Sequence, residues 1–211
     1  MTEQLEVYDL NGKLIGIEER KKFYEGIEKE FSTTGKISKK IKSIRVLLMN
    51  SNGRIYLQKR SKTKEVNPGM YDKTLGGHVP ASHSWDITLV RECAEELGFP
   101  ATVVSIEEFD KAITITDISV IGLFRKIDYI DRFISRRKNK KGKDVLQPWM
   151  TTIYFGYYDG AIRFVDGEST GIEVFSIKEL EEELKKNPEK FTEDVKFMIK
   201  KYRNFLKPIK K

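Results

Sequence analysis

One cysteine, Cys93, and two histidines, His78 and His83, are all that this 211-residue chain offers of the side chains that make disulfides and zinc sites. A single thiol excludes an intramolecular disulfide and fits a reducing compartment, so a cytoplasmic location is expected. Two histidines and one cysteine are too few for the usual zinc cage. No apolar run approaches the roughly 20 residues of a membrane helix, so no membrane partner is expected. The opening MTEQLEVYDLNGK is acidic and mixed rather than basic and then apolar, which is not the pattern of a secretory signal. Internal repeats and Pro/Ser-rich linkers are also lacking, and nothing in the composition splits the chain into separate globules.

What is present suits a folded protein: 39% hydrophobic and 11% aromatic residues supply a full core, and 34% charged residues supply a solvated surface. The net charge of +7 is local. Residues 132–143, RFISRRKNKKGK, carry seven basic side chains (Arg132, Arg136, Arg137, Lys138, Lys140, Lys141, Lys143) and no acid; without them the 39 basic and 32 acidic side chains balance. A solvated loop is the greater expectation for such a run, and nucleic-acid binding the lesser one.

Along the chain, LEVYDLNGKLIGIEE reads as two strands around Asn11-Gly12, followed by a helix in ERKKFYEGIEKEF. IRVLLM and RIYLQKR form a hairpin through NSNG, and KTKEVNPGMYDK is a loop. TVVSIEEFDKAITITDISVIGLFRKIDYI reads as strands, as do PWMTTIYFGYYDG, IRFVDG and GIEVFSI. The C-terminus turns helical, in SIKELEEELKKN capped by Ser176 and in TEDVKFMIKKYRNFL from Thr192. This order implies an α+β or α/β sandwich, a mixed sheet with helices packed on it.

The chemistry concentrates in LGGHVPASHSWDITLVRECAEELGF, residues 75–99. As a helix from Trp85 to Leu97, it places Val90, Cys93, Ala94 and Leu97 on one stripe with Ile87 at its edge, and Glu92, Glu95 and Glu96 on an opposite arc of about 100°. Only Arg91 offsets the crowded acids, and the helix C-terminus disfavours them. A hard divalent cation, Mg²⁺ or Mn²⁺, relieves both conflicts.

These residues resemble the Nudix box, which runs Gly, five residues, Glu, seven residues, then Arg-Glu-apolar-x-Glu-Glu-x-Gly-apolar. Gly77 opens it; Arg91, Glu92, Cys93, Glu95, Glu96, Gly98 and Phe99 fill the later positions, and His83 stands where the family has its first Glu. Eight matches of this composition arise by chance on the order of once in 10⁸ starting points. The flanking LQKRS, PGMYD and FVDGE stretches also look Nudix-like, over roughly residues 40–185. YDLNGKLIG and the QKRS…K…PG pattern resemble the branch that includes isopentenyl-diphosphate isomerase.

The resemblance implies a Nudix-type α/β/α sandwich with C-terminal helices, an N-terminal extension at 1–37 packed on the core, and a Nudix domain at 38–211. It implies Mg²⁺- or Mn²⁺-dependent hydrolysis of a nucleoside diphosphate linked to another group. Catalysis would fall to Arg91, Glu92, Glu95 and Glu96, and metal binding to Glu92, Glu95, Glu96 and Glu168, with Glu173 second to Glu168. Gly77 would bring a backbone carbonyl to the metal, Arg60 and Lys64 would hold substrate phosphates, and Tyr71 or Trp149 could stack on a base. The isomerase cysteine is missing from DKTLGGHV, and Cys93 reads as a buried spacer, so isomerase activity should be absent. His83 cannot supply the charge that the family Glu gives to the box Arg, and Asp86 is its candidate substitute. The alternative is a catalytically weakened Nudix-fold module that binds a nucleotide or RNA. Dimers are common among such relatives, which allows a homodimer.

Overall fold

The computed structural model describes residues 2–64, 66–138, 144–163 and 169–209. Around the Asn11-Gly12 turn, β1 (Gln4–Asp9) and β2 (Leu14–Glu19) pair antiparallel. Gly12 adopts a φ of 88°, which a residue without Cβ takes at little cost. α1 (Arg20–Thr34) follows and ends at Gly35 in a left-handed C-cap.

β3 (Lys39–Met49) and β4 (Arg54–Arg60) meet only beside their turn, where Leu48 faces Tyr56 and Met49 faces Ile55. The long partner of β3 is β8 (Asp144–Tyr157), which lies parallel to it from Ile41 on Trp149 to Met49 on Tyr157. A central strand is covered on both faces, which accounts for the unbroken apolar run Val46–Met49. The remaining strands are β5 (Tyr71–Asp72), β6 (Ala101–Val103), β7 (Gly122–Lys138) and β9 (Ser169–Ser176). The sheet runs β2-β1-β3-β8-β7-β6, and β4 branches from β3 to pair with β5 and β9.

Helices cover both faces. Ile44, Val46 and Leu48 of β3 pack against Leu89 of α2 (Trp85–Glu92) and against Cys93 and Leu97 just beyond it. Leu47 and Met49 face the other way, toward Leu180 of α4 (Ile177–Lys186) and Val195 and Met198 of α5 (Glu193–Tyr202). This is the α/β/α sandwich with a mixed sheet. Leu5 and Val7 of β1 pack with Phe23 and Ile27 of α1 onto Ile41 and Trp149, and β1 joins the sheet by pairing Val7 with Ile41. Among the described residues no helix is long and apolar enough to cross a membrane.

Three local expectations change. The stretch after residue 101, expected as strands, contains α3 (Ile106–Ile115). Ser105 caps this helix by accepting from the Glu108 amide, a start signal obscured by the β-branched run that follows. The basic run 132–143, expected as a loop, is strand as far as Lys138, and its residues 139–143 lie outside the described ones. IRFVDG, expected as a strand, begins with Ile162 and Arg163 in no regular element, and its remaining residues lie outside the described ones.

Candidate active site

Residues 75–80 run beside β3 like an added short strand. The Val46 amide donates to the Leu75 carbonyl at 3.0 Å, the Ile44 amide to the Gly77 carbonyl at 2.9 Å, and the Val79 amide to the Lys42 carbonyl at 3.1 Å. β1 clasps the same segment from the other side through the Ala81 amide and the Gln4 carbonyl. Tyr24 of α1 bonds His78 Nε2 at 2.7 Å, and the His78 ring also lies against buried Trp149. The approach to the helix is therefore fixed before Ser84 caps α2, its hydroxyl accepting from the Ile87 amide.

The helix does not continue as a plain α-helix. Cys93–Leu97 is one π-helical turn, and Gly98 closes it in a left-handed conformation. Hydrogen bonds to the fifth residue widen the turn, so each residue rotates through less than 100°. Leu97 then comes back over Leu89 and Cys93, and Glu96 over Glu92. The expected stripe of Val90, Cys93, Ala94 and Leu97 is corrected accordingly. Thr88, Leu89, Glu92, Cys93 and Leu97 face the sheet, while Ile87 and Ala94 are exposed and Val90 is 37% exposed.

Glu92 is thus buried, with 9% of its surface exposed. A Cβ on Gly77 would stand 2.9 Å from the Glu92 carboxyl carbon, so only glycine permits this approach. The Gly77 carbonyl itself is engaged by the Ile44 amide. Arg91 Nη2 donates to Glu92 Oε1 at 2.8 Å, and Arg91 Nε stands 3.8 Å from exposed Glu95. Burial holds the Glu92 carboxyl above its usual range, against the opposing pull of its hydrogen bond with Glu96 and of Arg91. Burial likewise pushes the Cys93 thiol up, leaving it an inert core side chain.

Among the described residues no three His, Cys, Asp or Glu side chains converge into a ready cage for a metal. The donor set is instead the hydrogen-bonded pair Glu92–Glu96, two hard oxygen ligands, the first buried and the second half-buried. That pair fits Mg²⁺, which keeps several waters and is commonly held by one or two carboxylates plus substrate phosphates.

Arg60 is engaged away from this pair. Arg60 donates through Nε and Nη2 to the Val66 carbonyl and through Nη1 to Asp72 at 3.2 Å, so it pins the loop after β4. Lys64 sits in that loop, its amide donating to the Ser61 carbonyl. Glu168 lies outside the described residues. Glu173 is exposed on β9 and accepts from the Tyr71 hydroxyl at 3.5 Å. Tyr71 packs between Phe175 and Phe191 under the Lys59 ammonium, and Trp149 is core, so the rings proposed for stacking are engaged elsewhere. His83 is exposed, and Asp86 accepts from the Tyr154 hydroxyl rather than meeting Arg91.

Sequence reasoning missed a second charged centre beside the extended Gly76-Gly77 segment. Arg45, 2% exposed, donates to Asp194 at 2.9 Å and to Ser43 at 2.8 Å, and its guanidinium lies 4.1 Å from the centre of the Phe133 ring. Lys73 bridges Asp72 at 3.2 Å and Asp194 at 3.5 Å. Burial and Asp194 push the Asp72 carboxyl up, but Lys73, Arg60 and the Thr192 hydroxyl outweigh them and hold it below its usual range. A charge at an inward position of a central strand, Arg45 within IRVLLM, was the available signal.

The NUDIX domain family model matches residues 39–195. An uncharacterized Nudix hydrolase of Pseudomonas aeruginosa is 39% identical over 59 residues, 28% of this chain and 35% of that protein. An isopentenyl-diphosphate Delta-isomerase of Serratia proteamaculans is 23% identical over 147 residues, 70% of this chain and 68% of that one. The aligned part thus spans about a third of the length of the Pseudomonas relative. Among solved structures, DR0079 of Deinococcus radiodurans shares the fold with a TM-score of 0.61 at 16% identity, covering 94% of this chain and 98% of that one. The NUDIX domain of Shewanella oneidensis NrtR, solved with ADP ribose, gives 0.51 at 12% identity over 85% of this chain and 99% of that one. With Arg91, Glu92, Glu95 and Glu96 on one helical stretch, Gly77 against Glu92, the sandwich around them and the family model spanning most of the sequence, this chain belongs to the Nudix family.

Proposed function

We propose that the protein is a divalent-metal-dependent hydrolase that cleaves the pyrophosphate bond of a nucleoside diphosphate linked to another group. The observation that carries this reading is the Glu92–Glu96 carboxylate pair, with Glu92 pressed against Gly77 and bonded by Arg91. Mg²⁺ or Mn²⁺ would be held by Glu92 and Glu96, with Glu95 and Glu168 as further donors. Bound there, the ion supplies neutralisation of phosphate charge and a lowered pKa for the attacking water. Arg91 fixes the rotamer of Glu92, and the glycine at 77 leaves that carboxylate its place. We further infer that residues 1–37 serve the Nudix domain of 38–211 as a brace, through Tyr24 on His78 and Gln4 on Ala81. The test is turnover of a panel headed by ADP-ribose, because of the liganded NrtR domain, and including dinucleoside polyphosphates, NADH, CoA and NTPs, with Mg²⁺, Mn²⁺ or EDTA. No metal-dependent release of product from any of them removes the reading.

Gly77→Ala is expected to displace the Glu92 carboxyl and cost about a hundredfold in kcat, the scale of a misplacement of about 1 Å at a reacting centre. Initial rates together with a melting curve check this, and an unchanged rate would show that Glu92 need not sit against residue 77.

A second reading, a weakened nucleotide- or RNA-binding module, draws on Arg91. With His83 exposed and Asp86 occupied by Tyr154, Arg91 turns to Glu92 itself. His83→Glu should free Glu92 and tighten Mg²⁺ binding by about tenfold, the low end of what groups behind a metal ligand contribute. Mg²⁺ titrations followed by melting temperature decide it, and identical affinity in the two proteins counts against the role given to His83.

A further inference from the structure

The basic run at 132–143, with its seven cationic side chains and no acid, takes no part in the carboxylate site. Its described part lies on β7, whose faces follow from the register with β8. Lys126 pairs with Tyr154, Tyr129 with Thr152, Ile134 with Pro148 and Arg136 with Leu146. These partners are alternate residues of β8, so the four β7 side chains share one face of the sheet. Tyr154 packs with Leu89 in the core under α2, which makes this the face opposite α4 and α5.

α2 begins at Trp85, and past it the face is open. Tyr129, Ile134 and Leu146 are each 45% exposed, and Lys126, Arg132 and Arg136 are exposed as well. Tyr129 stands edge-on to Trp85 with ring centres 5.9 Å apart, and the Lys42 and Lys126 ammonium groups lie 4.9 Å and 6.0 Å from the centre of the Trp85 ring. The acids beside these residues are already paired, Glu6 with Lys42 and Asp131 with Lys40, both at 2.6 Å. Lys126, Arg132 and Arg136 meet no carboxylate among the described residues. From the partner of Lys126 to the partner of Arg136 the strand extends about 27 Å at the usual rise per residue.

We infer that this face binds single-stranded nucleic acid, with phosphates on Lys126, Arg132 and Arg136 and a base stacked on Tyr129. Uncompensated cations along an extended strand suit a polyanion. An exposed aromatic ring among them suits unpaired bases, whose faces a duplex hides, and Ile134 and Leu146 offer further apolar area. The Glu92–Glu96 pair, at the other end of α2, plays no part in this binding, so the inference holds whether or not that pair hydrolyses a substrate.

The test is fluorescence anisotropy with labelled single strands of RNA and of DNA about twelve nucleotides long, in EDTA and over a range of salt concentrations. The wild-type protein should bind at least one of them, with an affinity that falls as salt rises. K126A/R136A should reduce the slope of log K against log salt by about 1.4, two phosphate contacts at about 0.7 each. Tyr129→Ala should weaken binding about tenfold and leave the slope unchanged, whereas Tyr129→Phe, which keeps the ring, should bind as the wild type does. K185A/K186A, which removes two exposed charges from α4 on the opposite face, should alter neither quantity. Melting curves verify that each variant is folded.

Absence of salt-sensitive binding to either strand overturns the inference. So does equal weakening by K185A/K186A, which would indicate unspecific attraction to a basic protein. Heparin or duplex DNA bound as tightly as the single strands, or wild-type affinity in Tyr129→Ala, also overturns it, because the face would then attract any polyanion. Preference for RNA over DNA, or the reverse, supports the inference and identifies the strand this face takes.

Discussion

Glu96→Gln is expected to lower kcat/KM by about 10²- to 10⁴-fold, the combined scale of losing a charged metal donor or a general base. The substitution keeps the volume and hydrogen-bonding capacity of Glu96 and removes only its charge, so the fold should persist. Stability should hold or rise slightly, because Glu96 adjoins another acid that is already costly to ionise. Mg²⁺ supplies a second readout. Since burial raises the folded-state pKa of Glu92, its stabilising contribution in the metal-free protein is complete in acid and is lost as pH rises through that pKa. A bound cation offsets this loss, so Mg²⁺ should raise the melting temperature of the wild-type protein more at about pH 8 than at about pH 5. The variant should show little of this rise. Wild-type turnover by Glu96→Gln would remove Glu96 from the site.

The largest effect on stability is expected at Asp194. Arg45 is almost wholly buried, and Asp194 is its carboxylate partner. Asp194→Ala removes the carboxylate that both Arg45 and Lys73 meet, and leaves the two cations near each other with one acid fewer. Removing one member of a buried ion pair costs about 3–5 kcal/mol. For a chain of this length the midpoint should fall by on the order of 10 °C. The double substitution Arg45→Met with Asp194→Leu should recover much of the loss, because an apolar pair carries no stranded charge. A melting curve for Asp194→Ala within a degree or two of wild type would mean that Arg45 finds another anion or reaches water.

The sequence makes some of this legible and hides the rest for identifiable reasons. Strands β1 to β4 follow from apolar and β-branched runs and turn chemistry, and α4 and α5 from the caps at Ser176 and Thr192. α3 is hidden because Ser105 and Glu108 mark its start while the residues after Lys111 favour strand. The carboxylate cluster is legible as a spacing, but its geometry is not. A wheel of constant pitch cannot anticipate a π-turn, so it buries Val90 and Ala94 and leaves Leu89 unassigned. The Arg45–Asp194 centre is hidden differently, since its members are 149 positions apart and only the folded sheet brings them together.

The β3–β8 pairing has a consequence for how the chain reaches its native state. The central strand finds its parallel neighbour about a hundred residues downstream, with the whole of α2 in between. Closing so long a loop precedes any reward from the contacts it makes, which places this protein among slowly folding topologies. During synthesis, Val46–Met49 must wait, exposed along one edge, until residues 149–157 have emerged, and that interval is when the nascent chain is most open to misassociation.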